Sequence, residues 1–238
     1  MHRLFLILAL HCCTIGAANA QLTLTTEEYP PFNMTDPQSK KLTGIAVDKV
    51  VELMRRTHEP YTITSYPWVR AYRMALQVPD TCVFATSRTP ERESLFAWIG
   101  PIAQSDWAIF ARASDTRKPK VLEDVRQFTI GGYRDAATGE YLAQRGYKVD
   151  LATNDADNIS KLMRNRIDFW ATGELLGKYL ISEQGLAGQI VPLFKFELSE
   201  LYVACNRAMD PKRVDTLNRA LKSMDSDGTS AAIERKYQ

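Results

Sequence analysis

Histidine is scarce in this chain of 238 residues, and its scarcity argues against several catalytic schemes. The chain has three histidines, and only His58 lies beyond the first twenty residues. His58 stands at the predicted end of a helix, beside Glu59 and Pro60. Ser-His-Asp and Cys-His mechanisms need a histidine beside the nucleophile, so this single position disfavours most of them. The sequence also lacks a glycine-rich phosphate loop followed by Lys-Ser or Lys-Thr, and a helical metal-binding motif.

Long apolar runs are also lacking, and the one near the N-terminus is short. Arg3 is followed by the apolar segment Leu4–Leu10 and then by the small-residue ending Ala17-Ala18-Asn19-Ala20. This order is typical of a signal peptide, and the apolar run is far shorter than the ~20 residues that span a bilayer. We therefore expect a leader over residues 1–20, which includes Cys12 and Cys13, and a periplasmic mature protein that begins at Gln21.

An excess of charge of either sign is missing as well. Arg3 is the one charged residue of the predicted leader, so the 30 basic and 28 acidic residues of the whole chain become 29 and 28 in the mature protein. Binding to nucleic acid or to an anionic membrane surface calls for clustered lysine and arginine. We expect no nucleic-acid partner, no cofactor and no metal site, and a monomer that binds a small molecule.

Strand and helix patterns alternate in two successive series along the chain, which predicts an α/β fold with mostly parallel sheets. The first series comprises strands at Leu22–Thr26, Tyr61–Tyr66 and Cys82–Thr86 and helices at Ile45–Arg56 and Trp68–Leu76. The second comprises helices at Val121–Val125, Gly139–Gln144 and Asn158–Asn165 and strands at Thr129–Gly132, Lys148–Ala152 and Ile167–Ala171. A strand at Leu201–Asn206 and a helix opened by Asp210 and Pro211 follow. Two similar lobes are therefore expected.

The motifs along the mature chain resemble those of the family 3 extracellular solute-binding proteins of bacterial transporters. Each motif is weak alone, but their order is specific. They are Glu28-Tyr29-Pro30-Pro31-Phe32, Gly44 with Asp48, Ser87-Arg88-Thr89-Pro90-Glu91-Arg92, Trp98-Ile99-Gly100-Pro101, Arg166-Ile167-Asp168, and Met224–Thr229 through Tyr237.

The resemblance implies a two-lobed periplasmic-binding-protein fold of type II. Each lobe would be a mostly parallel sheet flanked by helices, and two strands would form the hinge. Residues 21–104 and 200–238 would make lobe one, and residues 105–199 lobe two. A small polar solute, carboxylate-bearing or amino-acid-like, would bind between the lobes and pass to an ABC permease of the inner membrane.

The resemblance also assigns binding residues in lobe one. Arg92 matches the arginine that clasps the ligand carboxylate, a role that suits the planar fork of a guanidinium. Tyr29, Phe32 and Trp68 match aromatic positions at the mouth of the cleft, with core packing as the rival interpretation. Ser87 belongs to the same motif, and for Arg88 two interpretations stay open, a second anion contact or an ion pair with Glu91 or Glu93.

In lobe two the expected site includes Tyr133, Arg134 and Thr172. The turn Tyr133–Ala137 precedes a helix whose free amides could hold an anion, and Asp135 could instead cap that helix. The acidic residue that holds the α-amine in amino-acid receptors would fall at Gly173, which has no side chain. Glu174 or Asp135 could take its place, so the resemblance leaves the ligand's identity open.

The resemblance further implies a disulfide between Cys82 and Cys205, the two cysteines of the mature chain, with two buried thiols as the alternative. Two other functions stay open. One is a binding protein that reports its ligand to a membrane sensor. The other is a cleft enzyme such as a dehydratase, with Glu174 as its acid, although we expect no enzymatic activity.

Overall fold

The structure is a computed structural model that describes residues 21–237, so the predicted leader lies outside the described residues. It is an α/β fold with one eight-stranded sheet and a small hairpin. The strands are β1 Leu22–Thr26, β2 Met34–Thr35, β3 Leu42–Thr43, β4 Tyr61–Ser65, β5 Thr81–Ser87, β6 Phe96–Arg112, β7 Thr129–Tyr133, β8 Lys148–Ala152, β9 Phe169–Gly173 and β10 Ile190–Asn206. The helices are α1 Ile45–Thr57, α2 Trp68–Gln77, α3 Ala137–Gln144, α4 Asp157–Met163, α5 Glu174–Glu183, α6 Pro211–Ser226 and α7 Thr229–Glu234.

The sheet runs in the order β4-β1-β5-β10-β6-β9-β7-β8. Strand β1 pairs in parallel with β4 and β5 at one end, and β7 pairs in parallel with β8 and β9 at the other. Between these groups, β6 and β10 form a long antiparallel pair, each 17 residues in length. The parallel strands are connected by helices, as a parallel ladder requires. The predicted α/β fold class is confirmed.

The buried core divides into two groups along the long β6–β10 pair. The first group is built from residues of the range 22–103 together with 201–233, and the second from residues 108–190. We call the elements around the first group the first lobe and those around the second group the second lobe. In the ladder between them, Gln104 is opposite Glu200 and Ser105 is opposite Ser199. The boundaries at residues 104 and 200 stay a prediction of where the hinge lies.

Helix α6 shows how local sequence sets an element boundary. Asp210 precedes the helix, and its carboxylate accepts a hydrogen bond from the Lys212 amide at 2.9 Å. Pro211 occupies the first turn, where its missing amide hydrogen costs nothing. The apolar residues Leu217, Leu221 and Met224 are buried against the first lobe. The predicted N-cap is therefore confirmed.

Several elements differ from the sequence-based prediction. Strand β10 begins at Ile190, eleven residues before the predicted Leu201, and β6 and α5 were not predicted at all. The segment near Val121 forms a short 3₁₀ helix over Leu122–Val125. Strands β6 and β10 run through both lobes, so their pattern of buried residues changes partway along and obscures a regular alternation.

The predicted disulfide is present between Cys82 of β5 and Cys205 of β10. The two residues are direct partners in the antiparallel ladder, and both are fully buried in the first lobe. Among residues 21–237, no helix is long and apolar enough to cross a membrane. In the same part of the chain, no three or more His, Cys, Asp or Glu side chains are grouped so that they could hold a metal ion.

Candidate functional site

A cavity of about 730 Å³ lies between the two lobes. Residues at the carboxyl ends of the parallel strands line it, because β1, β4 and β5 of the first lobe and β7, β8 and β9 of the second all end there. Ligands of open α/β sheets bind outside the carboxyl ends of the strands, and the volume suits a small molecule. The position and size of this cavity make it the candidate binding site.

Aromatic side chains form much of the cavity wall. They come from both lobes, so a ligand between them would meet ring faces on several sides. Tyr29 stacks on Phe32 with the ring centroids 5.3 Å apart, and Trp68 packs on Tyr72 at 5.2 Å. The aromatic residues that line the cavity are Tyr29, Tyr66, Trp68, Trp107, Tyr133 and Tyr179.

The loop that carries Tyr29 is held by the start of α1. The Ile45 amide donates to the Pro31 carbonyl at 3.1 Å, and the Ala46 amide donates to the Phe32 carbonyl at 2.9 Å. Gly44 makes this approach feasible, because a Cβ atom there would lie 2.3 Å from the Phe32 carbonyl oxygen and its φ is +125°. Only glycine fits at such a point, so the Tyr29 loop and the helix behind it form one rigid unit.

Arg92 is buried in the first lobe but bonds to the second. Its Nη2 atom donates to the Asp135 carbonyl at 2.9 Å and to Glu140 Oε2 at 2.8 Å. Its guanidinium lies 5.6 Å from the Trp68 ring centroid and 5.1 Å from that of Tyr72. The Trp68 indole also donates to the Asp135 carbonyl, at 2.7 Å. These contacts join the lobes beside the cavity.

Gly173 lies at the point where the second lobe approaches Tyr29. A Cβ atom at residue 173 would lie 2.4 Å from the Tyr29 hydroxyl and 3.0 Å from Ser105 Oγ. The Tyr29 hydroxyl and Ser105 Oγ are themselves hydrogen-bonded at 3.0 Å. The space that an acidic side chain would need at residue 173 is therefore filled by Tyr29.

Asp155 places a carboxylate in the cavity wall from the second lobe. It follows strand β8 and is 7% exposed. Its Oδ1 atom accepts from the Trp170 indole at 2.8 Å and from Asn158 Nδ2 at 3.0 Å, and its Oδ2 atom accepts from the Thr172 hydroxyl. Burial raises the pKa of Asp155 above its usual range, although the three hydrogen bonds act in the opposite direction.

Glu27 supplies a second carboxylate, from the end of β1 in the first lobe. It is partly buried and lines the cavity. Burial, and next the nearby charge of Asp155, raise the pKa of Glu27 to about 8, while the hydrogen bond with Tyr133 and the charge of Arg92 oppose the rise. Such a carboxyl group is largely protonated at neutral pH unless a cation joins it.

The structure brings six of the eleven residues expected in the site to this cavity. They are Tyr29, Trp68, Ser87, Arg92, Tyr133 and Thr172.

None of the other five expected residues lines the cavity. Phe32 is 2% exposed in the core of the first lobe. Arg88 pairs with Glu93 and lies over the rings of Trp98 and Tyr202. Arg134 is exposed. Asp135 offers its carbonyl to Trp68 and Arg92. Glu174 pairs with Lys178 and Lys195.

Sequence reasoning did not identify Glu27, Asp155 or Glu140 as residues of this region. A signal for Asp155 existed, because it follows the predicted strand Lys148–Ala152 on the side where ligands bind. Glu27 offered the same signal, because it follows the first predicted strand directly. Glu140 carried no such signal, because its role depends on how the lobes meet.

The sequence profile of the bacterial extracellular solute-binding proteins, family 3, matches residues 22–238. The L-cystine-binding protein TcyA of Bacillus subtilis (strain 168) is 22% identical over 217 residues, which cover 91% of this chain and 80% of that protein. Both the family and this relative are binding proteins by description. The match therefore spans the two lobes together with the cavity between them.

Two solved structures share the fold over almost the whole chain. One is a histidine kinase sensor domain with similarity to periplasmic binding proteins, at a TM-score of 0.82 and 23% identity, with 92% of this chain and 96% of that chain covered. The other is an ancestral arginine-binding protein bound to arginine, at a TM-score of 0.78 and 20% identity, with coverage of 91% and 97%. At these identities the likeness concerns the fold.

Proposed function

The chain belongs to the bacterial extracellular solute-binding proteins of family 3, and we propose that it captures a small polar solute by closing its two lobes around it. The observation that carries this proposal is the cavity of about 730 Å³ whose wall comes from both lobes. A pocket with many aromatic faces and a few convergent polar groups is typical of small-molecule sites. Hinge closure around the ligand follows from the two-lobed arrangement.

An amino-acid-like solute suits the chemistry of the wall. Arg92 and the first amides of α3 could meet a carboxylate, and the acids Glu27 and Asp155 could meet an amine. Tyr29, Trp68 and Tyr133 would cover the apolar part of the solute. One relative is named for binding L-cystine and one neighbour is bound to arginine, and both ligands fit this class.

Delivery to an ABC permease of the inner membrane is the role we propose for the closed form. The predicted leader over residues 1–20 would send the protein to the periplasm, where it would act as a monomer without a cofactor and without catalysis. The family description supports an extracellular location.

A sensory role is the second candidate, favoured by the likeness to a histidine kinase sensor domain. In that case the closed form would signal to a membrane protein instead of releasing its solute for uptake. Deletion of the gene separates the two: transport predicts lost uptake of the ligand, and sensing predicts intact uptake with a lost response.

A thermal-shift screen of the refolded, ligand-free mature protein tests the binding function. The compounds are amino acids, polyamines, small carboxylates and sugars. A ligand that binds only the folded state raises the melting temperature, by several degrees when it is present at about 100 times its Kd. A reproducible rise with one class supports the proposal, and no rise with any class contradicts it.

A further inference from the structure

The guanidinium of Arg92 is occupied on both of the edges that bind carboxylates. A carboxylate binds a guanidinium most strongly through two parallel hydrogen bonds, either from Nε and Nη2 or from Nη1 and Nη2. Nη2 belongs to both edges, and it already donates to the Asp135 carbonyl at 2.9 Å and to Glu140 Oε2 at 2.8 Å. A solute carboxylate can therefore accept two parallel bonds from Arg92 only if one of these acceptors leaves.

Glu140 is the acceptor that can leave. The Asp135 carbonyl is part of the backbone and also accepts from the Trp68 indole at 2.7 Å, so it is held in place. The Glu140 side chain extends from the first turn of α3 and is 42% exposed. Among residues 21–237, Arg92 is the one side chain that bonds to the Glu140 carboxylate. Water can replace Arg92 at an exposed carboxylate with little loss of free energy.

The Nε atom of Arg92 gives a solute carboxylate an advantage over Glu140. Nε is buried and has no hydrogen-bond partner among the described residues. An unpaired donor on a charged side chain that is only 3% exposed is costly. Arg92 lines the cavity, so a solute carboxylate can accept from Nε and Nη2 together, whereas Glu140 accepts from Nη2 alone. The additional bond to Nε favours the solute in this exchange.

We propose that Glu140 is a specificity-determining residue of the site, because it occupies Arg92 from the second lobe and competes there with the carboxylate of the solute. This inference rests on the proposed binding function. Glu140 does not line the cavity, so it acts on the solute through Arg92. A solute with a free carboxylate displaces Glu140. A solute without one leaves the Arg92–Glu140 pair intact, and the lobes then close with that pair in place.

This competition determines how removal of Glu140 changes affinity. A carboxylate solute has to break the Arg92–Glu140 pair, so removal of the pair by mutation eliminates a cost of binding that solute. A carboxamide offers a single oxygen acceptor and cannot accept two parallel bonds from a guanidinium. It therefore leaves the pair in place, and removal of Glu140 only takes away a contact that supports its closed form. Loss of Glu140 should tighten binding of an acid relative to binding of its amide.

The test compares each acid with its own amide. Thermal shift of the refolded mature chain is recorded with the twenty common amino acids and with their α-carboxamides, for wild type, Glu140→Ala and the matched control Glu123→Ala. Alanine suits a helix, so Glu140→Ala should fold. Glu123 is an exposed acid of the second lobe that pairs with Arg126. The amino acid with the largest shift and its carboxamide are then titrated by calorimetry into all three proteins and into Glu140→Gln.

For Glu140→Ala we expect the dissociation constant of the acid to fall about tenfold, as loss of a charge-assisted competing contact should allow, and that of the carboxamide to stay the same or rise. Glu140→Gln keeps a neutral acceptor and should give an intermediate value, and Glu123→Ala should match wild type. Unchanged or weaker binding of the acid to Glu140→Ala, or an equal gain for both probes, would overturn the inference and leave the proposed function standing. No shift with any probe, in wild type and in Glu140→Ala alike, would count against both.

Discussion

At the residue scale, the position of the Tyr29 hydroxyl explains why residue 173 is a glycine. Any side chain at residue 173 would meet the Tyr29 hydroxyl, which is itself hydrogen-bonded to Ser105 Oγ. Overfilling a packed site of this kind costs about 1–3 kcal/mol. The absence of a side chain at residue 173 is thus part of how the second lobe fits against the Tyr29 loop.

This packing predicts a specific coupling between two substitutions. Gly173→Ala should lower the free energy of unfolding by about 1–3 kcal/mol, and Tyr29→Phe, which removes the hydroxyl that the new methyl group meets, should recover part of that loss. Urea unfolding of wild type, both single variants and the double variant gives the coupling energy. Strictly additive effects would show that the two residues do not compete for this space.

The residues of the cavity were predictable to different degrees. Arg92 and Tyr29 were expected because they belong to short motifs whose order is specific, and Trp68 because it matches an aromatic position at the mouth of the cleft in the family that the sequence resembles. Glu27 and Asp155 were not, since a single acidic residue after a strand is ordinary in sequence. Both acids line one cavity because the fold brings together two lobes whose residues are distant in the chain.

At the scale of elements, the disulfide joins the two strands at the centre of the first lobe. Cys82 and Cys205 are 123 residues apart in sequence and face each other in the β5–β10 ladder. The bond therefore links strand β10, in which the chain returns to the first lobe, to strand β5 of the same lobe. A crosslink over so long a loop restricts the unfolded chain strongly.

Removal of this crosslink should therefore cost stability. We expect Cys82→Ala with Cys205→Ala to lower the free energy of unfolding by about 2–4 kcal/mol. Urea unfolding monitored by circular dichroism measures the loss. Addition of a reductant to the unfolding buffer serves as the control, because it should weaken wild type and leave the double variant unchanged. Equal stability of both proteins without reductant would mean that the bond does not form.

Strands that serve a single lobe were predictable from sequence, and the two long strands that cross between the lobes were not. Strand β1 and strand β8 have the predicted bounds because each serves a single lobe. Strands β6 and β10 pass from one core to the other, so neither shows one alternation throughout. Helix α5 begins at Glu174, directly after Gly173, and the spacing of Leu176, Leu180 and Ile181 is typical of a helix.

At the scale of the whole molecule, the two lobes touch through few polar contacts. Among the described residues, the Arg92 guanidinium bonds to Glu140 and to the Asp135 carbonyl, and the Trp68 indole bonds to the same carbonyl. Such a small set of interlobe bonds can hold a closed form only marginally by itself, because each contributes about 1–3 kcal/mol at most. A ligand that adds contacts to both lobes would shift the equilibrium toward closure.

Small-angle X-ray scattering of the mature protein, without solute and then with the strongest compound of the thermal-shift screen at saturation, tests this closure most directly. The refolded, ligand-free protein should have the larger radius of gyration, and the radius should fall when the solute is added. The closed form should then match the scattering expected of the structure described above. A radius of gyration that stays the same at saturation would contradict capture by closure of the two lobes.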